Sequence, residues 1–186
     1  MSSRRVAVSL AVWVVACALV VSADTALRAQ ARGTPMPPVS AKAKLAEATA
    51  AAKKWRADAI LIQVASKFVN ENGMTAMWDY GFWSTSAKTC AIVNVGPTQA
   101  GVTAETGGAS CQEPEVKDFI DSDQALKIAK ANGVTAARTS MVVSVSPVKG
   151  VPRAVWMVMD ESGMKPGNVM LDIDAATGAV VGKTKQ

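Results

Sequence analysis

Few residues of this chain could carry out chemistry, and the commonest catalytic side chain is missing. The 186 residues include no histidine, which excludes Ser-His-Asp and Cys-His catalysis and histidine metal sites. Two carboxylate pairs remain, Asp121 with Asp123 and Asp172 with Asp174. The first pair fits a helix cap. Strand alternation places the second on one face, where it could collect a cation, although we favour solvated carboxylates. We expect no catalytic residue, metal or cofactor.

The cysteines predict a structural cross-link rather than a reactive site. Cys17 falls in an apolar amino-terminal stretch that has the pattern of a cleaved signal peptide. Only Cys90 and Cys111 would remain after its cleavage. In an exported protein, two cysteines most simply form a disulfide. Closing a loop of about 20 residues stabilises a fold by roughly 3 kcal/mol. The alternative is a redox or metal pair, but the spacing is far from C-x-x-C.

The amino terminus predicts export. Arg4 and Arg5 precede an apolar run from Val6 to Val21. We interpret residues 1–23 as a signal peptide, with cleavage as late as residue 31 as an alternative. The run is shorter than the roughly 20 residues of a spanning helix, so an uncleaved anchor is disfavoured. Lipidation at Cys17 is a minor alternative. The expected location is periplasmic or extracellular, without a membrane span after cleavage.

The charge pattern gives no indication of a nucleic-acid partner. Residues 32–186 contain 17 Lys plus Arg and 14 Asp plus Glu, which gives a net charge of +3. These charges are scattered along the chain rather than gathered into a basic patch, and such a distribution is typical of an ordinary soluble surface.

The first part of the processed chain reads as a linker followed by one unit. Residues 24–41 are rich in proline and are expected to be flexible. Residues 42–112 begin with an Ala- and Lys-rich helix over Lys42–Asp58. Ala59–Ser66 is either a strand or a continuation of that helix, and its β-branched residues favour the strand. Asn72-Gly73 predicts a hairpin turn.

Aromatic residues follow that turn in an alternating pattern. Trp78, Tyr80 and Phe82 share one face of a strand, with Trp83 on the other. We expect the first three to be buried under the helix. A third strand is predicted over Lys88–Val95.

Residues 113–186 are predicted to repeat the order of helix and strands. Asp121 caps a helix that continues to about Ala131. Strands are expected over Met141–Val148 and Val151–Asp160. A terminal hairpin over Asn168–Gly182 turns through an Asp-Ala-Ala-Thr-Gly sequence.

These elements resemble the PepSY domain, a small α+β module of exported bacterial proteins. The resemblance rests on the helix positions Ala125 and Ala129, on Trp156 and Val158 of the central strand, and on the turn from Asp174 to Gly178. The first unit looks like a more divergent relative. The resemblance implies an α+β fold of two tandem helix-plus-antiparallel-sheet units. PepSY modules are associated with peptidase propeptides and with proposed inhibition of envelope proteases.

The resemblance and the strand pattern together predict a non-enzymatic binding or protease-inhibitory module of the cell envelope. An open sheet edge could accept an extended peptide from a protein partner. Trp83, if exposed, would form the binding surface with Lys67 or Lys88 at its border. The alternative is a small-ligand or metal-binding envelope protein. The oligomeric state and the joining of the two half-sheets stay open.

Overall fold

The computed structural model describes residues 36–96, 99–107, 111, 113–160 and 166–185. The predicted signal peptide, Cys17 and the predicted linker up to residue 35 lie outside the described residues. The elements are helices α1 (Leu45–Trp55) and α2 (Ser122–Ala131), and strands β1 (Ile60–Val69), β2 (Asp79–Ser84), β3 (Thr89–Val95), β4 (Ala100–Gly107), β5 (Thr139–Val148), β6 (Val151–Asp160), β7 (Val169–Asp174) and β8 (Val180–Lys185).

All eight strands belong to one antiparallel sheet with the order β4-β3-β2-β1-β5-β6-β7-β8. The predicted fold class of two tandem helix-plus-sheet units is therefore wrong. The part of the chain that the structure describes is mostly a single sheet, with 47% of the described residues in strands and 16% in helices. The two halves join where β1 pairs with β5, with Val64 opposite Val143. This pairing satisfies backbone groups that two separate sheets would leave exposed at their edges.

The two helices cover one face of this sheet. α1 packs over β2, β3 and β4, whereas α2 packs over β6 and β7. Small residues of both helices, such as Ala52 and Ala129, are fully buried. Beneath the helices, one row of cross-strand neighbours is almost completely buried: Val93, Tyr80, Val64, Val143, Trp156 and Ile173. The core therefore crosses the junction between the two halves without interruption.

Local sequence explains where the elements begin and turn. The Asp121 side chain accepts a hydrogen bond from the Ser122 N–H at 2.8 Å and caps α2, as predicted. The segment that was ambiguous between helix and strand is a strand, because α1 ends at Trp55 and β1 begins at Ile60. The Asp174 carboxylate accepts hydrogen bonds from the next turn, whose Gly178 has a φ of +75°. That turn is also as predicted.

The predicted hairpin turn between β1 and β2 is confirmed, and it also docks against α2. Asn70 Oδ1 accepts hydrogen bonds from the N–H groups of Asn72 and Met74. Gly73 has a φ of +78°, and a Cβ at this position would collide with the backbone of Asp123. The Ser122 hydroxyl donates to the Gly73 carbonyl at 2.6 Å. Glycine is required there by conformation and by space.

Cys90 and Cys111 form the predicted disulfide, with their Cα atoms 6.2 Å apart. Cys90 lies in β3, opposite Thr106 of β4. The bridge therefore attaches the chain that follows β4 back onto the sheet.

Candidate functional site: an open sheet edge and an apolar cleft

The residues predicted to form a partner-binding surface do not come together. Trp83 is 4% exposed, so the condition on which it would form the binding surface is not met. It lies between Ile60 and Cys90 on neighbouring strands, which places the disulfide next to its side chain. Lys88 lies near Trp83, in the turn after β2. Lys67 lies near the opposite end of β2, because it follows Ala65, the residue that pairs with Asp79, by two positions.

β4, which the sequence did not predict, forms one edge of the sheet and is widely exposed. Every residue from Val102 to Gly107 is exposed. No strand within the described residues pairs with the outer side of β4. Glu105 is its one charged residue. An exposed edge with few charges and no proline presents backbone groups that another chain can pair with.

The other edge strand, β8, carries features that discourage such pairing. Lys183 and Lys185 lie within its six residues, and edge lysines oppose strand addition. The Lys183 ammonium also donates to the Asn132 carbonyl at 2.7 Å, at the end of α2. The two edge strands therefore differ in charge.

An aromatic side chain does lie beside the open edge, but it is Trp55 rather than Trp83. The Trp55 indole N–H donates to Glu105 Oε2 at 3.2 Å. The guanidinium of Arg56 lies 5.5 Å from the centre of the indole ring, in cation–π contact, and 3.9 Å from Glu105 Oε1. The end of α1 thus holds β4 in place and sets an indole beside it.

β4 is irregular at one position, where its ladder with β3 shifts register. Ile92 pairs with Ala104 and Val93 with Val102, so Thr103 is an extra residue. The hydroxyl of this extra residue, Thr103, donates a hydrogen bond to Asn94 Oδ1 on β3 at 2.8 Å. Such a bulge increases the local twist and divides the edge into two regular segments.

The face of the sheet that neither α1 nor α2 covers contains a cleft of about 510 Å³. It lies between β1, β5 and the turn that leads to β2. Its lining is chiefly apolar and includes Phe68, Met77 and Val142. Phe68 is 65% exposed and Met77 is 56% exposed. Lys67 and Arg138 also line the cleft, as does Asp79.

The second acidic pair is neither solvated nor arranged to hold a cation. Asp174 is 2% exposed and accepts a hydrogen bond from Arg153 Nη1 at 2.9 Å. This contact, with the turn hydrogen bonds, holds the pKa of Asp174 below its usual value. Asp172 is partly buried, and desolvation raises its pKa. Within the described ranges, no group of three or more Cys, Asp or Glu side chains could hold a metal.

Sequence reasoning missed β4 and the cleft for different reasons. The segment that contains β4 is rich in Gly and Thr and has little apolar content, so the sequence predicts only the loop between Cys90 and Cys111 there. Val102 and Thr103 are β-branched residues that favour a strand, but two such residues predict one only weakly. The cleft is lined by Lys67 and Arg138, which are distant in the chain and reach one cleft through the pairing of β1 with β5. No local pattern could have shown this arrangement.

Comparison with protein-family models, curated proteins and solved structures finds no match. The resemblance to PepSY domains therefore stays a prediction. Neither helix within the described part of the chain has the length and apolar character needed to cross a membrane.

Proposed function

We propose that this protein is an exported, non-enzymatic binding module that accepts an extended peptide along β4. The observation that carries the proposal is the exposed outer side of this strand. A peptide added there would continue the sheet as a ninth strand, with affinity supplied by main-chain hydrogen bonds.

The difference between the two edges supports β4 as the binding edge. β8 has two lysines over six residues, whereas β4 has one acidic residue over eight. Glu105 is already engaged by Trp55 and Arg56, so its charge is partly compensated. An incoming strand at β4 would meet little electrostatic opposition.

Trp55 provides a means of selecting the peptide. Alternate side chains of an added strand would point to the helix-covered side of β4, where the indole lies. Its ring is partly buried and packs against the core, so it would offer a rigid apolar contact. We expect bound peptides to prefer an apolar residue at the position nearest to Trp55.

The proposed location is outside the cytoplasm. The Cys90–Cys111 disulfide is compatible with an oxidising compartment, and the amino-terminal sequence has the pattern of a signal peptide. Inhibition of an envelope protease, which the PepSY resemblance implies, would follow if the bound peptide belonged to a protease.

The test uses a display library of random octapeptides selected on the full disulfide-bonded chain. Amide hydrogen exchange is then measured with a selected synthetic peptide. We expect the exchange of β4 amides to slow on binding, because the peptide would pair with their outer side. Paired substitution of Val102→Lys and Ala104→Lys is expected to weaken binding at least tenfold.

The matched control is Val180→Lys on β8, since Val180 and Val102 are 40% and 38% exposed. This variant should bind the peptide as the unaltered protein does. Slowed exchange confined to β8 or to the cleft, with β4 unchanged, would contradict the proposal.

A further inference from the structure

The cleft on the open face has the dimensions of a small-molecule site. Its volume of about 510 Å³ lies within the range of roughly 300 to 1,000 Å³ that ligand pockets occupy. It is lined by residues from four separate segments, which include Ala65 of β1, Val142 of β5, Met77 before β2 and Pro38 before α1. The cleft therefore belongs to the sheet rather than to one loop.

A β-bulge opens this cleft. Ser66 pairs with Met141 and Val69 with Thr139, so β1 has one more residue than β5 between these pairs. As a result, both Lys67 and Phe68 are exposed, although strand alternation would bury one of two neighbours. Bulges commonly redirect side chains at binding sites.

The cleft combines apolar walls with two basic side chains and one acidic side chain. Lys67 and Arg138 line it, and neither forms an ion pair with any side chain of the described residues. The register places both residues at the same end of the β1–β5 pair, because Arg138 immediately precedes the residue that pairs with Val69. Two basic side chains that line one cleft, and that have no ion-pair partner within the described residues, favour an anionic ligand there.

The opposite charge in the cleft limits what else can bind. Asp79 also lines the cleft, and its carboxylate accepts a hydrogen bond from Asn94 Nδ2 at 2.6 Å. Asp79 would repel a second anionic group on the same ligand. The arrangement therefore favours a single negative charge.

We propose that the cleft binds a small monoanionic amphiphile, namely a carboxylic acid with an apolar tail. Lys67 and Arg138 bind the carboxylate. Phe68, Met77 and Val142 cover the tail, which removes two of the most exposed apolar side chains from water. This site is separate from β4 and does not depend on peptide binding there.

The experiment is a titration of the full disulfide-bonded chain with octanoate, monitored through ¹³C-labelled methionine methyl groups. Met74 and Met77 line the cleft, whereas Met141 is buried in the core and Met170 lies on β7. We expect saturable shifts at Met74 and Met77 with little change at Met141 and Met170. Octyltrimethylammonium, which has the same tail with a positive head, should bind at least tenfold more weakly.

The charge requirement is tested with the double variant Lys67→Gln and Arg138→Gln. Octanoate affinity should fall at least tenfold, while the weaker binding of 1-octanol should stay within twofold. The matched control is Lys88→Gln with Lys149→Gln, two exposed lysines outside the cleft, which should leave octanoate affinity unchanged. Unchanged thermal unfolding of each variant would show that the fold is intact.

Three results would overturn the proposal. One is an octanoate affinity that changes less than twofold in the Lys67 and Arg138 double variant. Another is equal affinity for octanoate and octyltrimethylammonium, which would indicate contact with the tail alone. The third is an equal shift at Met170 and Met77, which would indicate general adsorption of the amphiphile to the open face.

Discussion

The two faces of the sheet use the same strands and the same register, yet they differ in almost every other property. On the helix-covered face, one row crosses six strands with every residue almost completely buried, including Val64, Val143 and Trp156. On the opposite face, the adjacent row of cross-strand neighbours contains Gln63, Ser144 and Val155. Gln63 is exposed, whereas Val155 is buried.

This difference assigns stability to the helix-covered face and ligand binding to the open face. The covered face holds the aromatic pairs of Trp156 with Trp78 and with Phe119, at centroid distances of 6.2 and 5.8 Å. The open face holds the cleft and the partly buried carboxyl group of Asp172. Substitutions on the covered face should therefore act on folding, and most substitutions on the open face should act on ligands.

The largest effect is expected from Trp156→Ala. This side chain is fully buried, and its indole N–H donates to the Ile120 carbonyl at 2.9 Å. Loss of the ring leaves a cavity and an unpaired carbonyl, so the free energy of unfolding should fall by about 3 to 5 kcal/mol. Chemical denaturation monitored by circular dichroism measures this change.

The control on the opposite face is Gln63→Ala, which should change the free energy of unfolding by less than about 0.5 kcal/mol. Equal losses for the two variants would mean that the open face is also part of the core, and the comparison would fail.

An intermediate effect is expected from removing the disulfide with Cys90→Ser and Cys111→Ser. The bridge closes a segment with a sequence separation of 21, so its loss should lower the free energy of unfolding by roughly 3 kcal/mol. Because the bridge lies next to Trp83, the fluorescence of this residue should also change. Adding dithiothreitol should destabilise the unaltered protein and leave the double variant unaffected.

The smallest effect is expected from Asp172→Asn, and it depends on pH. Asp172 lies opposite Gly182, and its Oδ1 atom is buried without a hydrogen bond within the described residues. Burial raises the pKa of Asp172 in the folded state, so folding favours the protonated carboxyl. The resulting stability is present below the unfolded pKa of about 3.9 and is lost as pH rises through the folded pKa.

Asparagine stays neutral, so the variant should be more stable than the unaltered protein at pH 7, by less than the disulfide contributes. The difference should shrink as the pH falls towards 4. Thermal unfolding across this pH range measures it. A difference that is independent of pH would show that desolvation of Asp172 is not its cause.

Local structure was largely predictable from the sequence. Alternation placed Trp78, Tyr80 and Phe82 on one buried face, and all three are at most 2% exposed. The turn at Asp174 and the helix cap at Asp121 follow from side chains that bind nearby backbone groups. Such features need no information from distant parts of the chain.

Long-range structure was not predictable in this way. Nothing within either half indicates that β1 pairs with β5. Alternation within a strand shows which side chains are buried, but it does not show which other strand pairs with its edge. The burial of Trp83 was missed for a similar reason. Alternation assigns it to the open face but does not show that Cys90 and its disulfide occupy the neighbouring position.

The strand order also has a consequence for folding kinetics. Apart from the central pair of β1 with β5, every pair in the sheet joins strands that are consecutive in the chain. The set from β1 to β4 and the set from β5 to β8 can therefore each form through local hairpins. The central pair instead brings together residues as distant in the chain as Gln63 and Ser144. Closing that long loop costs entropy before any contact compensates for it, and non-local pairing slows folding. We therefore expect two locally formed half-sheets whose docking along β1 and β5 limits the folding rate.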